Sequence, residues 1–246
     1  MPAADFKSQV AQWGCGIFFL GVIVWLLLPA MDGRQPAKRT VCRNNLKQIE
    51  IALHNYRDAY DCFPPAYVAD ATGRPIHSWR VLILPYLDQA LLYNQYRFEE
   101  PWNGPNNSKL ADIPVPVYQC PTDVKARDGK DFWTSYVAVV GPHSCWPGTS
   151  VIRSADIKDG SSNTLHVAEI RDSGIHWMEP RDLYLGQMAP TINARGGQGI
   201  SSGHTEGANV SLADGSVRFV GDKLSAEVVR QLIDRDDGGP ASNVEW

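Results

Sequence analysis

The strongest hydrophobic pattern lies close to the N-terminus. Residues 11–30 are almost continuously apolar and carry no charged side chain. A helix needs about 20 such residues to cross the hydrocarbon core of a bilayer. Trp13 and Trp25 lie toward the ends of the segment, where interfacial aromatic side chains are common, and Pro29 lies at its close. The pattern predicts a transmembrane helix over 11–30, after a short tail over 1–10.

Two other interpretations of this segment stay open. A cleaved signal peptide needs a basic start and a small residue at the cleavage site. The start carries Lys7 alone, and Leu28 stands where the small residue belongs. A buried core helix has a similar composition, but it rarely stands alone as an opening segment. A retained membrane anchor is therefore favoured.

A second helix is predicted after a break. Gly33 and Pro36 indicate a kink or linker over 31–37. Over 38–60, apolar residues recur at steps of three and four, which is typical of an amphipathic helix. The two prolines at 64–65 prevent its continuation. Its predicted apolar face consists of Cys42, Leu46, Ile49, Leu53, Tyr56 and Tyr60.

Short strands and turns dominate the rest of the chain, as expected from 21 Gly and 17 Pro. The clearest hairpin has Asp214-Gly215 between two runs of alternating polarity. A last helix is predicted over 225–234, with Ser225 as its N-cap. The soluble domain is predicted over 38–236, with a tail over 237–246. Its other extended segments are predicted at 113–118, 135–140 and 165–170.

Charge and cysteine content give opposite indications about the side of the membrane. Basic residues follow the apolar segment, and the positive-inside rule alone places the large domain in the cytoplasm. An even set of four cysteines in the soluble part favours an oxidising compartment, although four buried free thiols remain an alternative. The net charge of -4, without a basic stripe, gives no indication of nucleic-acid binding. These cysteines are Cys42, Cys62, Cys120 and Cys145.

Several blocks in a fixed order resemble a large bacterial family of prepilin-like proteins of unknown function, also described as solute-binding-like. Each block is weak alone, but the ordered set is specific. The blocks are 26–30 (LLLPA), 42–49 (CRNNLKQI), 52–56 (ALHNY), 63–65 (FPP), 78–87 (SWRVLILPYL), 120–123 (CPTD), 134–136 (TSY), 159–165 (DGSSNTL), and His204 separated by nine residues from Asp214-Gly215.

The resemblance implies an α+β fold of type IV pilin type, in which a long helix packs on an antiparallel sheet outside the cytoplasm. It places a single-pass protein in the bacterial inner membrane, with the large domain on the periplasmic side. It also implies contact with membrane lipid and with other pilin-like or secretion-system subunits. Because Cys42 and Cys120 fall in family blocks, the resemblance favours the pairs Cys42–Cys120 and Cys62–Cys145, one of three possible connectivities.

The chain departs from this family at its start. Relatives carry a processing Gly and, five residues into the apolar run, a Glu that serves fibre assembly. Lys7 and Gln12 occupy those positions here. The segment therefore resembles a permanent tether more than a polymerisation stem.

Four candidate sites compete with structural roles. A zinc site is disfavoured against disulfides, because no Cys-x-x-Cys pair occurs among the widely spaced Cys42, Cys62, Cys120 and Cys145, and His143-Ser144-Cys145 alone is a weak signal. Ser202, His204 and Asp214 invite a catalytic triad, but no nucleophile elbow or oxyanion motif accompanies them, so a hydrogen bond from His204 to the hairpin is favoured. The turn with Asp159, Ser161 and Asn163 alternates oxygen ligands and is the best candidate for calcium, against a plain turn. Stacking on sugars competes with core packing as the role of five tryptophans: Trp79, Trp102, Trp133, Trp146 and Trp177.

The sequence thus favours a non-catalytic, membrane-anchored envelope protein with a structural or scaffolding role and no cofactor. A membrane-tethered module that binds a solute or a glycan is the alternative. A hydrolase is third, because no constellation meets the requirements of an active site.

Overall fold

The fold is described from a computed structural model, which covers residues 34–123, 132–194 and 198–238. The chain divides into two compact units, residues 1–40 and 41–246. Only 34–40 of the first unit lie within the described ranges, so the architecture below is that of the second.

The predicted membrane segment, with Trp13, Trp25 and Pro29, lies outside the described residues. Among the helices that are described, none has the length and apolar character needed to cross a membrane.

Helix α1 spans Arg34–Tyr60 and begins four residues before the predicted start. The linker expected over 31–37 is therefore helical from Arg34 onward. Pro36 is compatible with this start, because a proline in the first turn lacks only an N–H that has no intrahelical partner. The helix ends before Asp61, whose φ of 60° is left-handed. Of the predicted apolar face, the residues that are fully buried are Cys42, Leu46, Ile49 and Leu53.

A five-stranded sheet forms the centre of the domain, in the order β5-β3-β4-β6-β7. Neighbouring strands are antiparallel, except that β5 runs parallel to β3. The predicted α+β class with an antiparallel sheet is therefore confirmed. The strands are β3 (Tyr136–Val140), β4 (Leu165–Glu169), β5 (Leu183–Tyr184), β6 (Gly207–Leu212) and β7 (Val217–Gly221).

Smaller elements lie between α1 and the sheet in sequence. The short strands β1 (Tyr67–Ala69) and β2 (Pro75–Ser78) pair with each other, and helices α2 (Trp79–Leu82) and α3 (Ala90–Gln95) follow. The segment expected to be extended at 113–118 instead ends in a 3-10 turn, Pro116–Tyr118.

Both faces of the sheet are covered. On one face, alternate residues of β3 such as Tyr136 and Ala138 pack in a core that also contains the buried side of α1. On the other face, Val137 and Val139 pack in a second core with helix α4, Ala226–Ile233. The predicted N-cap of α4 is confirmed, since Ser225 Oγ accepts the N–H of Val228 at 3.3 Å. All residues of β3, β4 and β6 are consequently at least nine-tenths buried.

Candidate functional site

A disulfide joins helix α1 to the loop that precedes β3. Cys42 and Cys120 are 78 residues apart in the sequence, and their Cα atoms are 5.3 Å apart. The predicted Cys42–Cys120 pair is confirmed. The CRNNLKQI and CPTD blocks that carry these cysteines are therefore covalently linked.

A buried carboxylate and a histidine lie against this disulfide. Glu169, the last residue of β4, has Oε1 at 3.4 Å from Nε2 of His204. The same Nε2 is 3.7 Å from Cys120 Sγ. Asn209 on β6 fixes the carboxylate, because its backbone N–H donates to Oε2 at 2.6 Å and its Nδ2 donates to both oxygens at 3.0 Å. Glu169 is only 1% exposed, so these donors replace its water.

The space beside this cluster is too small for a substrate. A cavity of about 10 Å³ lies next to Cys120 and Glu169, bounded by Thr122, Ser135 and Ser202. That volume corresponds to about one water molecule. The cluster is therefore suited to structural contacts or to a single small ion.

A second buried polar cluster lies two residues further along β6, at Ser211. Ser211 Oγ donates to Oε1 of Glu50 on α1 at 2.6 Å, and His166 Nδ1 lies 3.0 Å from Oε2 of the same carboxylate. A β-bulge in β4 produces this contact, because Leu165 and Ala168 pair with Leu212 and Val210. Three residue steps on β4 therefore lie opposite two on β6. The extra residue on β4 turns the side chain of His166 toward α1.

The tautomer of His166 follows from its neighbours. A carboxylate accepts hydrogen bonds only, so Nδ1 carries the proton and donates to Glu50. Nε2 is buried without a hydrogen-bond partner among the described residues. Its surroundings are aromatic, since the ring stacks on Trp146 at 5.1 Å and meets the edge of Phe63 at 4.7 Å.

The hairpin turn also rests on α1. Gly215 has a φ of +81°, and an added Cβ would lie 3.4 Å from His54 Nε2. Lys47 Nζ donates to the carbonyl of Gly215 at 3.3 Å. Burial lowers the pKa of His54, against the opposing effect of Glu50. The Asp214-Gly215 end of the predicted signature thus lies against α1, whereas His204 contacts Glu169 on β4 and Cys120 in the loop before β3.

Together these contacts form a polar layer between α1 and the sheet, here termed the docking seam. Tyr136 and Asn45 extend it, since Asn45 Nδ2 donates to the carbonyl of Gln119 at 2.8 Å and Tyr136 OH donates to the carbonyl of Cys42 at 3.3 Å. Burial raises the pKa of Tyr136 well above its ordinary value. The seam comprises Cys42, Asn45, Glu50, Cys120, Tyr136, His166, Glu169, His204, Asn209 and Ser211.

A buried ion pair lies in the same core. Arg80 and Asp182 meet at 2.5 Å, with side chains 0% and 2% exposed. Trp79 Nε1 and the N–H of Ala138 also donate to Asp182. Burial raises the pKa of Asp182 to about 6, and the Arg80 charge opposes that rise. This pair connects α2 to β3, the strand to which Ala138 belongs.

The predicted triad residues do not converge as a triad. Ser202 Oγ donates to the carbonyl of Gly207 at 2.6 Å, and it accepts the backbone N–H of His204. Asp214 is exposed and accepts the N–H of Ser216 within its own turn. The expected bond from His204 to the hairpin is instead a contact with Glu169 on β4.

The calcium candidates are engaged in turn contacts. The carboxylate of Asp159 accepts the N–H groups of Asp237 and Gly238, both at 3.0 Å. Asn163 Nδ2 donates to the carbonyl of Asp159 at 2.9 Å, and the carbonyl of Ser161 accepts the N–H of Asp214. Calcium binding by Asp159, Ser161 and Asn163 stays a prediction.

The predicted Cys62–Cys145 pair is wrong. Both cysteines are free thiols, with Cys145 buried and Cys62 partly exposed. Burial raises the pKa of the Cys145 thiol far above its ordinary value, so it stays protonated and packs as a small apolar side chain. Of the four cysteines, only Cys42 and Cys120 lie in family blocks. The even number of cysteines was therefore not evidence that the other two form a disulfide.

The tryptophans are distributed through the core and do not form a shared platform. Trp79, Trp146 and Trp177 are at most 2% exposed. Trp102 and Trp133 are intermediate in exposure, and Trp102 stacks on His176. Core packing accounts for Trp79, Trp146 and Trp177. Sugar stacking by Trp102 and Trp133 stays a prediction.

A surface groove of about 950 Å³ lies on the opposite side of β3 from β4, beside β5 and α4. It offers aromatic and charged side chains together. Lining residues include Tyr67, Tyr184, Gln187, Met188, Glu227 and Arg230.

Sequence reasoning missed most of the seam. Glu50, His166, Glu169, Asn209 and Ser211 were not predicted as site residues. The signal present was the polar alternation of Asn209 and Ser211 with apolar residues in β6, which usually indicates a solvent-facing side. Helix α1 covers that side here.

The fold and the seam define an α+β domain in which helix α1 is joined to the loop before β3 by a disulfide and to the sheet by ionic and hydrogen-bonded contacts. Residues 31–227 match a family described as a protein of unknown function, DUF1559, and the chain belongs to that family. No curated protein and no solved structure matches the chain.

Proposed function

We propose that this protein is a non-catalytic envelope protein, tethered to the bacterial inner membrane by residues 11–30, with a pilin-like ectodomain on the periplasmic side. Its role is structural or scaffolding. The observation that carries the proposal is the Cys42–Cys120 disulfide. Disulfides persist in oxidising compartments outside the cytoplasm, and they are rare inside it.

The position of the disulfide also supports a mechanical role. Cys42 lies 12 residues after the apolar segment ends at Ala30, on a helix that starts at Arg34. Glu50 and Asn45 on the same helix add buried contacts to the sheet and to the loop before β3. A domain fixed in this way to the helix that follows its membrane segment is suited to holding a surface in a set position. Such a surface suits a neighbouring pilin-like or secretion-system subunit.

The seam supports a non-catalytic assignment. Its charged side chains are paired with one another, and the adjoining cavity has room for about one water molecule. A hydrolytic centre needs a nucleophile, a base and a reachable space that meet.

Placement of the domain is tested in whole cells of an expressing bacterium. Intact spheroplasts are treated with a protease, and the 246-residue chain is followed by immunoblotting and intact mass. We expect the domain to be digested without lysis and the N-terminus to be unprocessed. A domain protected until lysis would refute the periplasmic placement, and a chain cleaved after Gly16 would refute the permanent tether.

A second candidate, a tethered solute- or glycan-binding module, is favoured by the groove beside β5. Tyr67 and Tyr184 offer aromatic surfaces there, and Gln187, Glu227 and Arg230 offer polar groups of the kind that fix a ligand. Isothermal titration with neutral oligosaccharides tests it. Saturable binding that Tyr184→Ala abolishes and the exposed control Tyr60→Ala preserves would support the module. Absence of heat across the panel would count against it.

A further inference from the structure

Four potential metal ligands converge at the disulfide end of the docking seam. The sulfurs of Cys42 and Cys120, a carboxylate oxygen of Glu169 and a ring nitrogen of His204 all lie within 4.8 Å of one another. All four residues are buried. They come from α1, the loop before β3, the end of β4 and the loop before β6. No two of these residues are close together in the sequence, so the sequence gives no local motif for the site.

We propose that these four side chains form a zinc site when the disulfide is reduced. Two thiolates, one imidazole and one carboxylate are a donor set that zinc accepts in tetrahedral geometry. Ligand atoms at zinc-bond lengths of 2.0–2.3 Å lie about 3.3–3.8 Å apart in a tetrahedron. The contacts of 3.4 Å from His204 Nε2 to Glu169 Oε1 and 3.7 Å to Cys120 Sγ already lie in that range.

The surroundings resemble those of a prepared metal site. Asn209 donates three hydrogen bonds to Glu169, with the oxygen Oε1 facing His204. Outer contacts of this kind orient ligands and raise metal affinity. The cavity of about 10 Å³ beside Cys120 and Glu169 gives the ligands room to adjust. Thr122 Oγ1 donates toward Cys120 Sγ at 3.0 Å, a contact that also suits a thiolate.

The oxidation state of Cys42 and Cys120 decides whether a disulfide or a zinc ion links them. A dithiol reductant transfers two electrons and two protons to the disulfide, which gives two cysteine thiols and the oxidised cyclic form of the reductant. Zinc binding then releases both thiol protons, because thiolates are the ligands. A disulfide oxidant then takes two electrons from the two thiolates and is itself reduced to a dithiol, which re-forms the Cys42–Cys120 bond and releases the metal. Helix α1 thus stays linked to the loop before β3 in both states, by sulfur in one and by zinc in the other.

The test uses the full chain in mild detergent, with Cys15→Ala, Cys62→Ser and Cys145→Ala present throughout so that only the thiols of Cys42 and Cys120 remain. The protein is reduced with dithiothreitol, desalted without oxygen and titrated with Co²⁺ as a spectroscopic probe. We expect one equivalent to produce a thiolate-to-cobalt charge-transfer band and strong visible bands of a tetrahedral site. Added zinc should displace the cobalt and so remove these bands. The oxidised chain should show neither the charge-transfer band nor the visible bands.

Matched variants separate this site from adventitious binding. His204→Gln and Glu169→Gln should each weaken Co²⁺ binding at least tenfold and reduce the visible bands, and Asn209→Ala should weaken binding about 10- to 100-fold. His143→Gln, at an exposed histidine with its own acidic neighbours Asp234 and Asp236, should change nothing.

Near-ultraviolet circular dichroism covers the case in which reduction unfolds the chain. Zinc should then restore the folded signal. The proposal is overturned if the reduced chain gives no bands and no refolding, if the oxidised chain binds equally, or if the His204 and Glu169 variants behave as the parent does.

Discussion

Glu50 on helix α1 and His166 on strand β4 are 116 residues apart in the sequence, and their side chains meet at 3.0 Å in the core. Both are at most 1% exposed. The bulge in β4 turns the imidazole toward the helix, and Ser211 occupies the other carboxylate oxygen. This contact fixes how far along the sheet the helix lies, since a shift of one turn would leave a buried charge unpaired.

Replacing Glu50 should therefore destabilise the domain strongly. Glu50→Ala leaves the Nδ1–H of His166 buried without its acceptor, whereas the hydroxyl of Ser211 keeps the carbonyl of Val167 at 3.2 Å. We expect a loss of about 3–5 kcal/mol in the free energy of unfolding, the range for breaking a buried pair. Urea unfolding followed by tryptophan fluorescence measures it. The control is Asp58→Ala on the same helix, whose exposed pair with Arg57 contributes about 0–1 kcal/mol. Equal losses in both variants would contradict the assigned role of Glu50.

The sequence was sufficient for features that depend on local order. The spacing of Leu46, Ile49 and Leu53 predicted α1, Asp214-Gly215 predicted the hairpin, and Ser225 predicted the start of α4. Each of these signals lies within one element or one turn. The sequence places the start of α1 four residues too late, because a proline such as Pro36 usually interrupts a helix, whereas here it lies in the first turn of a helix that begins at Arg34.

Features that depend on tertiary packing were not predicted from the sequence. Asn209 and Ser211 alternate with apolar residues, and no local signal shows that a helix covers the polar side. The bulge that reorients His166 is a property of the pairing between β4 and β6. The family blocks brought Cys42, Cys120 and His204 to attention, but their meeting with Glu169 exists only in the folded chain.

Removing the disulfide should lower stability by about 4–5 kcal/mol, since it closes a loop across a separation of 78 residues. We expect the double variant Cys42→Ser/Cys120→Ser to unfold at a clearly lower guanidinium concentration. Cys62→Ser, at a free and partly exposed thiol, serves as the control and should change little. The wild-type chain in metal-free buffer with dithiothreitol should match the double variant. A double variant as stable as the wild type would show that the cross-link does not constrain the unfolded chain.

Two neutral histidines should make stability depend on pH. His77 Nε2 donates to the carbonyl of Phe98 and Nδ1 accepts from Tyr96 OH, whereas His176 Nε2 donates to the carbonyl of Ala111 and Nδ1 accepts the N–H of Met178. Protonation would place a hydrogen where each Nδ1 accepts one. Burial, the largest cause, lowers the pKa of both residues below 6.5.

The sign follows from linkage. When the folded pKa is lowered, the unfolded chain binds more protons, so stability rises with pH. The contribution is fully present above pH 6.5 and is lost as the pH falls through the lower folded pKa values. The part of the urea midpoint that depends on His77 and His176 should fall from above pH 6.5 toward acid, whereas Asp182, whose pKa is raised to about 6, contributes in the opposite direction. In His77→Gln the urea midpoint should decrease less with falling pH than it does in the wild type. In the exposed control His143→Gln this decrease should be larger than in His77→Gln. Identical pH profiles for the wild type and His77→Gln would contradict the neutral state inferred for His77.

Two glycines paired across the terminal hairpin should respond very differently to the same substitution. Gly207 on β6 and Gly221 on β7 are direct partners in the antiparallel register. A Cβ at Gly207 would overlap the backbone carbonyl of Val220 and approach Phe219 Cε1 to 2.7 Å, whereas at Gly221 the nearest atom is Glu206 O at 3.8 Å. The backbone carbonyl cannot move aside without breaking the pairing of β6 and β7.

Gly207→Ala should therefore cost about 3 kcal/mol, at the upper end for a forced addition to a packed site. Gly221→Ala should be neutral, or stabilising by up to about 1 kcal/mol, because alanine restricts the unfolded chain and fits the space available. Thermal unfolding of the two variants side by side measures the difference. Because the strands, the pairing and the added methyl group are the same, only the surroundings of each Cβ distinguish them. Equal midpoints would mean that β7 can shift away from β6. The hairpin would then not be a fixed support for Asn209 and Ser211 in the docking seam.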